Sequence, residues 1–217
     1  MTFLKVKESK IKYTEIPQDS NLYTAVMDKK YAAFAKYYDF AMTPLWRVWL
    51  KKVLPFIEGA KVLEVSFGTG FLMTQYAEHF DTYGIDFSNA MIQITKRKLE
   101  KKNLSASISK GNVENLPFEN NAFDTIINTM AFTGYPNGEK ALEEMKRVLK
   151  RNGKLLLMDF DYPADRNLIG YSLVKIGEMY GDVMKDLKKY LGKSGLDYRK
   201  TYVGGFGSVH LFVCSKV

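Results

Sequence analysis

From residue 60 onward, short apolar runs alternate with longer amphipathic stretches, and this alternation sets the expected fold. Lys61-Val62-Leu63-Glu64-Val65 reads as a strand, followed by a glycine loop and a helix over about 70–79. The next strand is predicted at 82–86 and the next helix at 88–102. Further strands are expected at 106–109, 123–128 and 154–160, with a helix at about 138–150 between the last two. Such βαβ alternation predicts a parallel sheet with helices on both faces. A helix over about 179–192 then precedes two strands, 197–203 and 208–215. The short connection Gly204-Gly205-Phe206-Gly207 makes those two antiparallel.

The first 55 residues have another texture. They carry Tyr13, Tyr23, Tyr31, Phe34, Tyr37, Tyr38, Phe40, Trp46 and Trp49 but no glycine. Helices are expected over 21–40 and 44–54, with Pro44 suited to a first turn and Pro55 ending the second helix. The expected fold class is therefore α/β: a doubly wound, mainly parallel seven-stranded sheet with an antiparallel C-terminal strand and an N-terminal helical cover. Residues 1–55 would form the cover and 56–217 one compact core.

Composition narrows the function classes. At 217 residues, 46% hydrophobic and 26% charged, the chain fits a globular domain. No apolar run reaches the ~18 residues of a membrane span. The opening Met1-Thr2-Phe3-Leu4-Lys5 becomes charged before a signal-peptide core can form, so a cytoplasmic location is expected. Cys214 is the single cysteine, which leaves no thiolate metal cluster, and no metal site is expected. The net charge of +8 suits an anionic partner, and a transient contact with an acidic membrane surface is one such partner. The basic run Lys96-Arg97-Lys98, Lys101-Lys102 reads as the solvated face of a helix.

The chemistry enters where the first core strand ends. Glu64-Val65-Ser66-Phe67-Gly68-Thr69-Gly70 leaves a strand and opens a helix, and parallel α/β sheets bind ligands at such carboxyl ends. Gly68 and Gly70 let the backbone turn sharply and approach a ligand where a Cβ would collide. Asp86 ends the next strand, 18 residues beyond Gly68. An acid there accepts hydrogen bonds from the ribose hydroxyls of an adenosine. A tight turn without ligand, or a dinucleotide site, would show the same loop.

In this order the landmarks resemble the class I S-adenosylmethionine-dependent methyltransferases, in particular the group of ubiquinone/menaquinone-biosynthesis and phospholipid methyltransferases. After Val62–Gly70 come Gly84-Ile85-Asp86-Phe87-Ser88, Gly111-Asn112-Val113-Glu114-Asn115-Leu116-Pro117-Phe118, Phe123-Asp124-Thr125-Ile126-Ile127, and Arg147-Val148-Leu149-Lys150-Arg151-Asn152-Gly153. The resemblance covers about residues 35–160. Serine stands at position 66 where the family usually has glycine, and asparagine at 112 where it usually has aspartate.

The resemblance implies S-adenosylmethionine as cofactor and a role for each matching residue. Ser66, Phe67 and Gly68 would line the methionine part, and Glu64 would fix the loop and reach toward the amino group. Asp86 would hold the ribose and Phe87 pack on the adenine. Asn112 and the Val113 backbone would read the adenine edge, and Asn128 would place its carbonyl near the methionine amino group.

A general base is needed only for an acceptor that still holds its proton, and His210 and Asp161 are the candidates. No Asn/Asp-Pro-Pro-Tyr/Phe run is present to clamp a flipped base, so a nucleic-acid acceptor is not expected. The aromatic cover and the insert 161–178 suit a small apolar or aromatic acceptor, or a lipid head group. Two other readings share the loop and the acid: a nicotinamide oxidoreductase and a non-catalytic adenosine-cofactor-binding protein.

Overall fold

Val62, Leu63, Val65, Ile126, Ile127 and the run Leu155 to Met158 are all buried, as in strands covered on both faces. The computed structural model describes residues 43–179 and 184–216, where these runs form the centre of one seven-stranded sheet. In chain order the elements are α1 (Thr43–Leu50), a 3-10 helix (Lys51–Phe56), β1 (Lys61–Val65), α2 (Met73–Tyr76), β2 (Asp81–Asp86), α3 (Asn89–Lys101) and β3 (Ser107–Lys110). Then come β4 (Phe123–Thr129), α4 (Gly138–Val148), β5 (Leu149–Phe160), α5 (Leu168–Met179), α6 (Leu187–Ser194), β6 (Asp197–Gly204) and β7 (Val209–Ser215). The strand order is β3-β2-β1-β4-β5-β7-β6. β1 to β5 pair in parallel, and β7 runs antiparallel to both of its neighbours.

Side chains alternate between two cores with the period of two that a strand dictates. Val62, Ile127, Leu156 and Met158 pack with Trp49, Met73, Tyr76, Ile92 and Leu99, from α1, α2 and α3. Leu63, Val65, Ile126, Leu155 and Leu157 pack instead with Leu142, Met145, Leu187 and Leu191 of α4 and α6. Helix ends are satisfied locally. Asn137 Oδ1 accepts from the Lys140 amide at 3.0 Å to start α4, and Asp186 Oδ1 accepts from the Lys189 amide at 3.1 Å to start α6. Gly195, at φ 68°, closes α6 in the left-handed conformation.

Three expectations change and one falls outside the described residues. The helix over 21–40 lies outside the described residues, as does most of the 1–55 cover. The helix expected over 44–54 tightens into 3-10 geometry at Lys51, and Pro55 sits inside that stretch instead of ending it. Between 70 and 79 only Met73–Tyr76 is α-helical, because the chain is still in left-handed turns at Gly68 and Gly70. The helix expected over 179–192 is not continuous: the insert 161–178 carries α5, and α6 starts only after the Asp186 cap. Among the described residues no helix is long and apolar enough to cross a membrane.

Candidate functional site

β1 lies between β2 and β4, where the strand order reverses, and a crevice opens there at the carboxyl ends of the strands. Its floor is the turn after β1, which passes through three left-handed residues: Ser66 (φ 53°), Gly68 (φ 55°) and Gly70 (φ 68°). The two glycines do different work. A Cβ on Gly68 would meet nothing within 4 Å, so this wall faces open space. A Cβ on Gly70 would stand 2.4 Å from Thr95 of α3. The bare Gly70 thus serves packing of loop on helix, and only Gly68 borders the crevice as the ligand reading requires.

Asp86 ties the floor together. Its Oδ2 accepts from the Gly68 amide at 2.8 Å and its Oδ1 from the Ser88 amide at 2.9 Å. The carboxylate is buried yet borders the crevice. Glu64, 2% exposed, accepts from the Tyr76 hydroxyl at 2.9 Å through Oε2. Burial pushes the Glu64 carboxyl up to about 8, with the Tyr76 hydrogen bond pulling it down and the charge of Asp86 adding to the rise. A carboxyl with that value keeps its proton over most of the neutral range.

A second tie joins the β1 turn to the loop after β4. Ser66 Oγ accepts from the Tyr135 hydroxyl at 2.9 Å, and the Tyr135 oxygen accepts in turn from Asn128 Nδ2. Burial raises the Tyr135 phenol above its ordinary value, so it is neutral and a donor. Asn128 is fully buried at the end of β4, and its Oδ1 has no hydrogen-bond partner among the described residues. The remaining walls are mostly apolar: Phe67, Phe87, Met91, Met130 and Ala131, closed on one side by Trp46 and Leu50 of α1. Arg47 lies over the ring of Phe71 at the same rim, 5.0 Å from its centroid.

The structure brings Glu64, Ser66, Phe67, Gly68, Asp86 and Phe87 to one crevice. Asn112 and Val113 follow β3 and do not border it. Asn112 Oδ1 accepts from the Glu114 amide at 2.9 Å and so shapes its own turn, and Val113 is buried in the core. His210 and Asp161 meet elsewhere on the carboxyl edge, His210 Nδ1 lying 4.0 Å from Asp161 Oδ2. Lys200 Nζ is 3.6 Å from the same oxygen. Burial, helped by Lys200 and Lys188, lowers the His210 imidazole to about 3. Its Nδ1 has no hydrogen-bond partner among the described residues.

Tyr76 and Tyr135 are the site residues that sequence reasoning missed. Tyr135 had a weak signal, an aromatic within the Thr133-Gly134-Tyr135-Pro136 loop after a strand. Tyr76 had none, because its partner Glu64 lies 12 residues away on another element.

Comparison with known proteins places the chain by family and fold. A profile of the methyltransferase domain family matches residues 63–157. The ubiquinone/menaquinone biosynthesis C-methyltransferase UbiE of Yersinia pestis is 30% identical over 174 residues, 74% of this chain and 68% of that protein. The demethylmenaquinone methyltransferase of Thermotoga maritima is 28% identical over 145 residues, 65% of this chain but only 62% of its own length. A solved S-adenosylmethionine-dependent methyltransferase of Thermotoga maritima superposes with a TM-score of 0.69 at 16% identity, over 90% of this chain and 100% of that one. At that identity the likeness concerns the fold.

Proposed function

Because the chain belongs to the class I S-adenosylmethionine-dependent methyltransferases of the UbiE group, we propose that it transfers a methyl group to a small apolar aromatic acceptor, a quinone-type ring foremost. One observation carries the reading: Asp86, bonded to the Gly68 amide at 2.8 Å, presents a carboxylate at the switch point of the sheet beside a bare backbone wall. That arrangement suits a ribose diol held against an open turn. Glu64, deep in the crevice, suits the cofactor's ammonium group, and Phe87 supplies a flat apolar face for its base. When bound, the cofactor would supply a methyl group activated on a sulfonium, with the thioether as its leaving group.

The protein's own contribution is positioning and the exclusion of water. Phe67, Met91, Met130, Trp46 and Leu50 make a mostly apolar enclosure for an aromatic acceptor. A proton-accepting role for His210, with Asp161 beside it, is the weaker half of the proposal. The imidazole is in its neutral, accepting form, but its lowered pKa makes it a poor base and neither side chain borders the crevice. His210→Gln decides: a loss of turnover with unchanged cofactor binding supports the role, and unchanged turnover removes it.

The proposal is tested by incubating the chain with labelled S-adenosylmethionine and, separately, a demethylated quinone, small phenols and amines, phosphatidylethanolamine vesicles and total RNA. Incorporation into the quinone or phenol is expected. Incorporation into RNA alone, or into nothing, would overturn it.

A further inference from the structure

Ser66 stands in a conformation that favours glycine, at φ 53°, and its backbone amide donates to the Ile85 carbonyl at 2.7 Å. A glycine there would adopt the same turn with less strain. What serine adds is a hydroxyl, and that hydroxyl is used: it accepts from Tyr135 OH at 2.9 Å. Tyr135 belongs to the loop that follows β4, 69 residues further along the chain. Ser66 and Tyr135 both border the crevice, one from the turn after β1 and the other from the loop after β4. Asn128, fully buried beneath, fixes the phenol through its amide nitrogen.

We infer that Tyr135 is a positioning residue for the methyl donor: by gripping Ser66 it sets the gap between the β1 turn and the β4 loop in which the methionine half of the cofactor lies. The inference rests on the proposed cofactor site and extends it to a residue pair that a glycine at position 66 would forbid. The phenol ring packs edge-on against Phe132 with centroids 5.6 Å apart, so removal of the hydroxyl alone leaves the ring's place in the core intact. The hydroxyl serves the spacing and the ring serves the core, and the two can be separated by substitution.

Calorimetry with S-adenosylhomocysteine is the first readout, on the unsubstituted chain, Tyr135→Phe, Ser66→Ala, Ser66→Gly and the double variant Ser66→Ala/Tyr135→Phe. Ser66→Ala should lose about tenfold in affinity and Tyr135→Phe at least as much, because its hydroxyl also holds Asn128. The double variant should lose no more than Tyr135→Phe alone, since the hydrogen bond between Ser66 and Tyr135 is already gone there. Ser66→Gly should lose as much as Ser66→Ala, although its backbone is relaxed. Amide hydrogen exchange is the second readout and needs no ligand. The amides of residues 66–70 should exchange faster in Tyr135→Phe while those of β1 stay protected. Independent, multiplying losses in the double variant, or wild-type affinity and wild-type exchange in Tyr135→Phe, would overturn the inference. If the unsubstituted chain binds no S-adenosylhomocysteine, the cofactor reading fails together with it. Faster exchange at 66–70 would then show only a structural tie.

Discussion

Asp86 Oδ2 accepts the Gly68 amide at 2.8 Å, so the side chain read as a ribose ligand is also the anchor of the turn that faces it. Binding and local order are therefore one property at this position. Asp86→Ala should weaken S-adenosylhomocysteine binding at least a hundredfold, about 2.7 kcal/mol from two lost charge-assisted hydrogen bonds. It should also destabilise the fold, because the Gly68 and Ser88 amides lose their acceptor. Unchanged affinity in calorimetry would remove Asp86 from the site.

The two glycines of the same turn should respond in opposite ways. Gly70→Ala places a methyl 2.4 Å from Thr95 in a left-handed backbone, and should cost about 2 kcal/mol or more of stability in urea unfolding. Gly68→Val meets open space within the protein and should cost about 1 kcal/mol, from backbone strain. Yet Gly68→Val should abolish cofactor binding. Equal stability losses at the two positions would show that both glycines serve packing.

Glu64 and His210 give the stability an asymmetric pH profile. Glu64 titrates at 4.5 when unfolded and about 8 when folded. Folding thus takes up a proton between those values, and stability falls as pH rises through them. His210 titrates at 6.5 unfolded and about 3 folded, so its contribution is present above 6.5 and is lost as pH falls toward 3. The two oppose each other below pH 6.5, and from there to pH 8 Glu64 acts alone. Urea unfolding should show about 2 kcal/mol less stability at pH 8 than at pH 6.5, with the difference gone in Glu64→Gln. If the ammonium of the cofactor pairs with ionised Glu64, binding expels that proton, and calorimetry in two buffers of different ionisation enthalpy should register it.

Trp46 and Leu50 of α1 border the crevice, which supports residues 1–55 as a cover over the acceptor. We propose that this cover closes over the acceptor together with bound ligand, which would shield it from a protease. Limited proteolysis should then cut within 1–40 more slowly when S-adenosylhomocysteine is present. Equal rates would make the segment an ordinary structural layer.

The outward side of α5 carries exposed Leu168, Ile169, Ile176 and Met179, the last 85% exposed. With a net charge of +8, this supports the proposed contact with an acidic membrane. The chain should co-float with vesicles containing anionic lipid and less so at high salt, and Ile176→Glu should reduce binding. Flotation that is indifferent to lipid charge would count against the contact.

The strands of the sheet were legible in sequence because both their faces are covered, which forces runs such as Leu155 to Met158 to be apolar throughout. The β1 turn and Asp86 were legible because few residue types suit a left-handed turn or a strand-end acceptor. α5 was not, since its apolar Leu168, Ile169, Ile176 and Met179 stand exposed while Gly170 and Val174 are its buried positions, so hydropathy does not mark the buried face. Nor could sequence spacing reveal that Tyr76 reaches Glu64 or Tyr135 reaches Ser66, contacts made through space by elements that share no periodicity. Asn112 follows its strand as expected, but it stands outside the crevice lining and its oxygen is engaged by its own turn, a contact that strand-end position alone does not reveal.

β7 follows β6 along the chain but stands between β5 and β6 in the sheet. Among the described residues β6 pairs with no other strand, so it joins the sheet through β7, across the short connection at Gly205–Gly207. The β6–β7 hairpin is local and closes in microseconds, whereas laying Phe212 against Leu157 spans 55 residues of chain and is slow. During refolding the hairpin should arrive preformed and add two strands at once. Until it does, β5 is an open edge of Leu155, Leu156, Leu157 and Met158, the stretch at which a half-folded chain would stick to another copy.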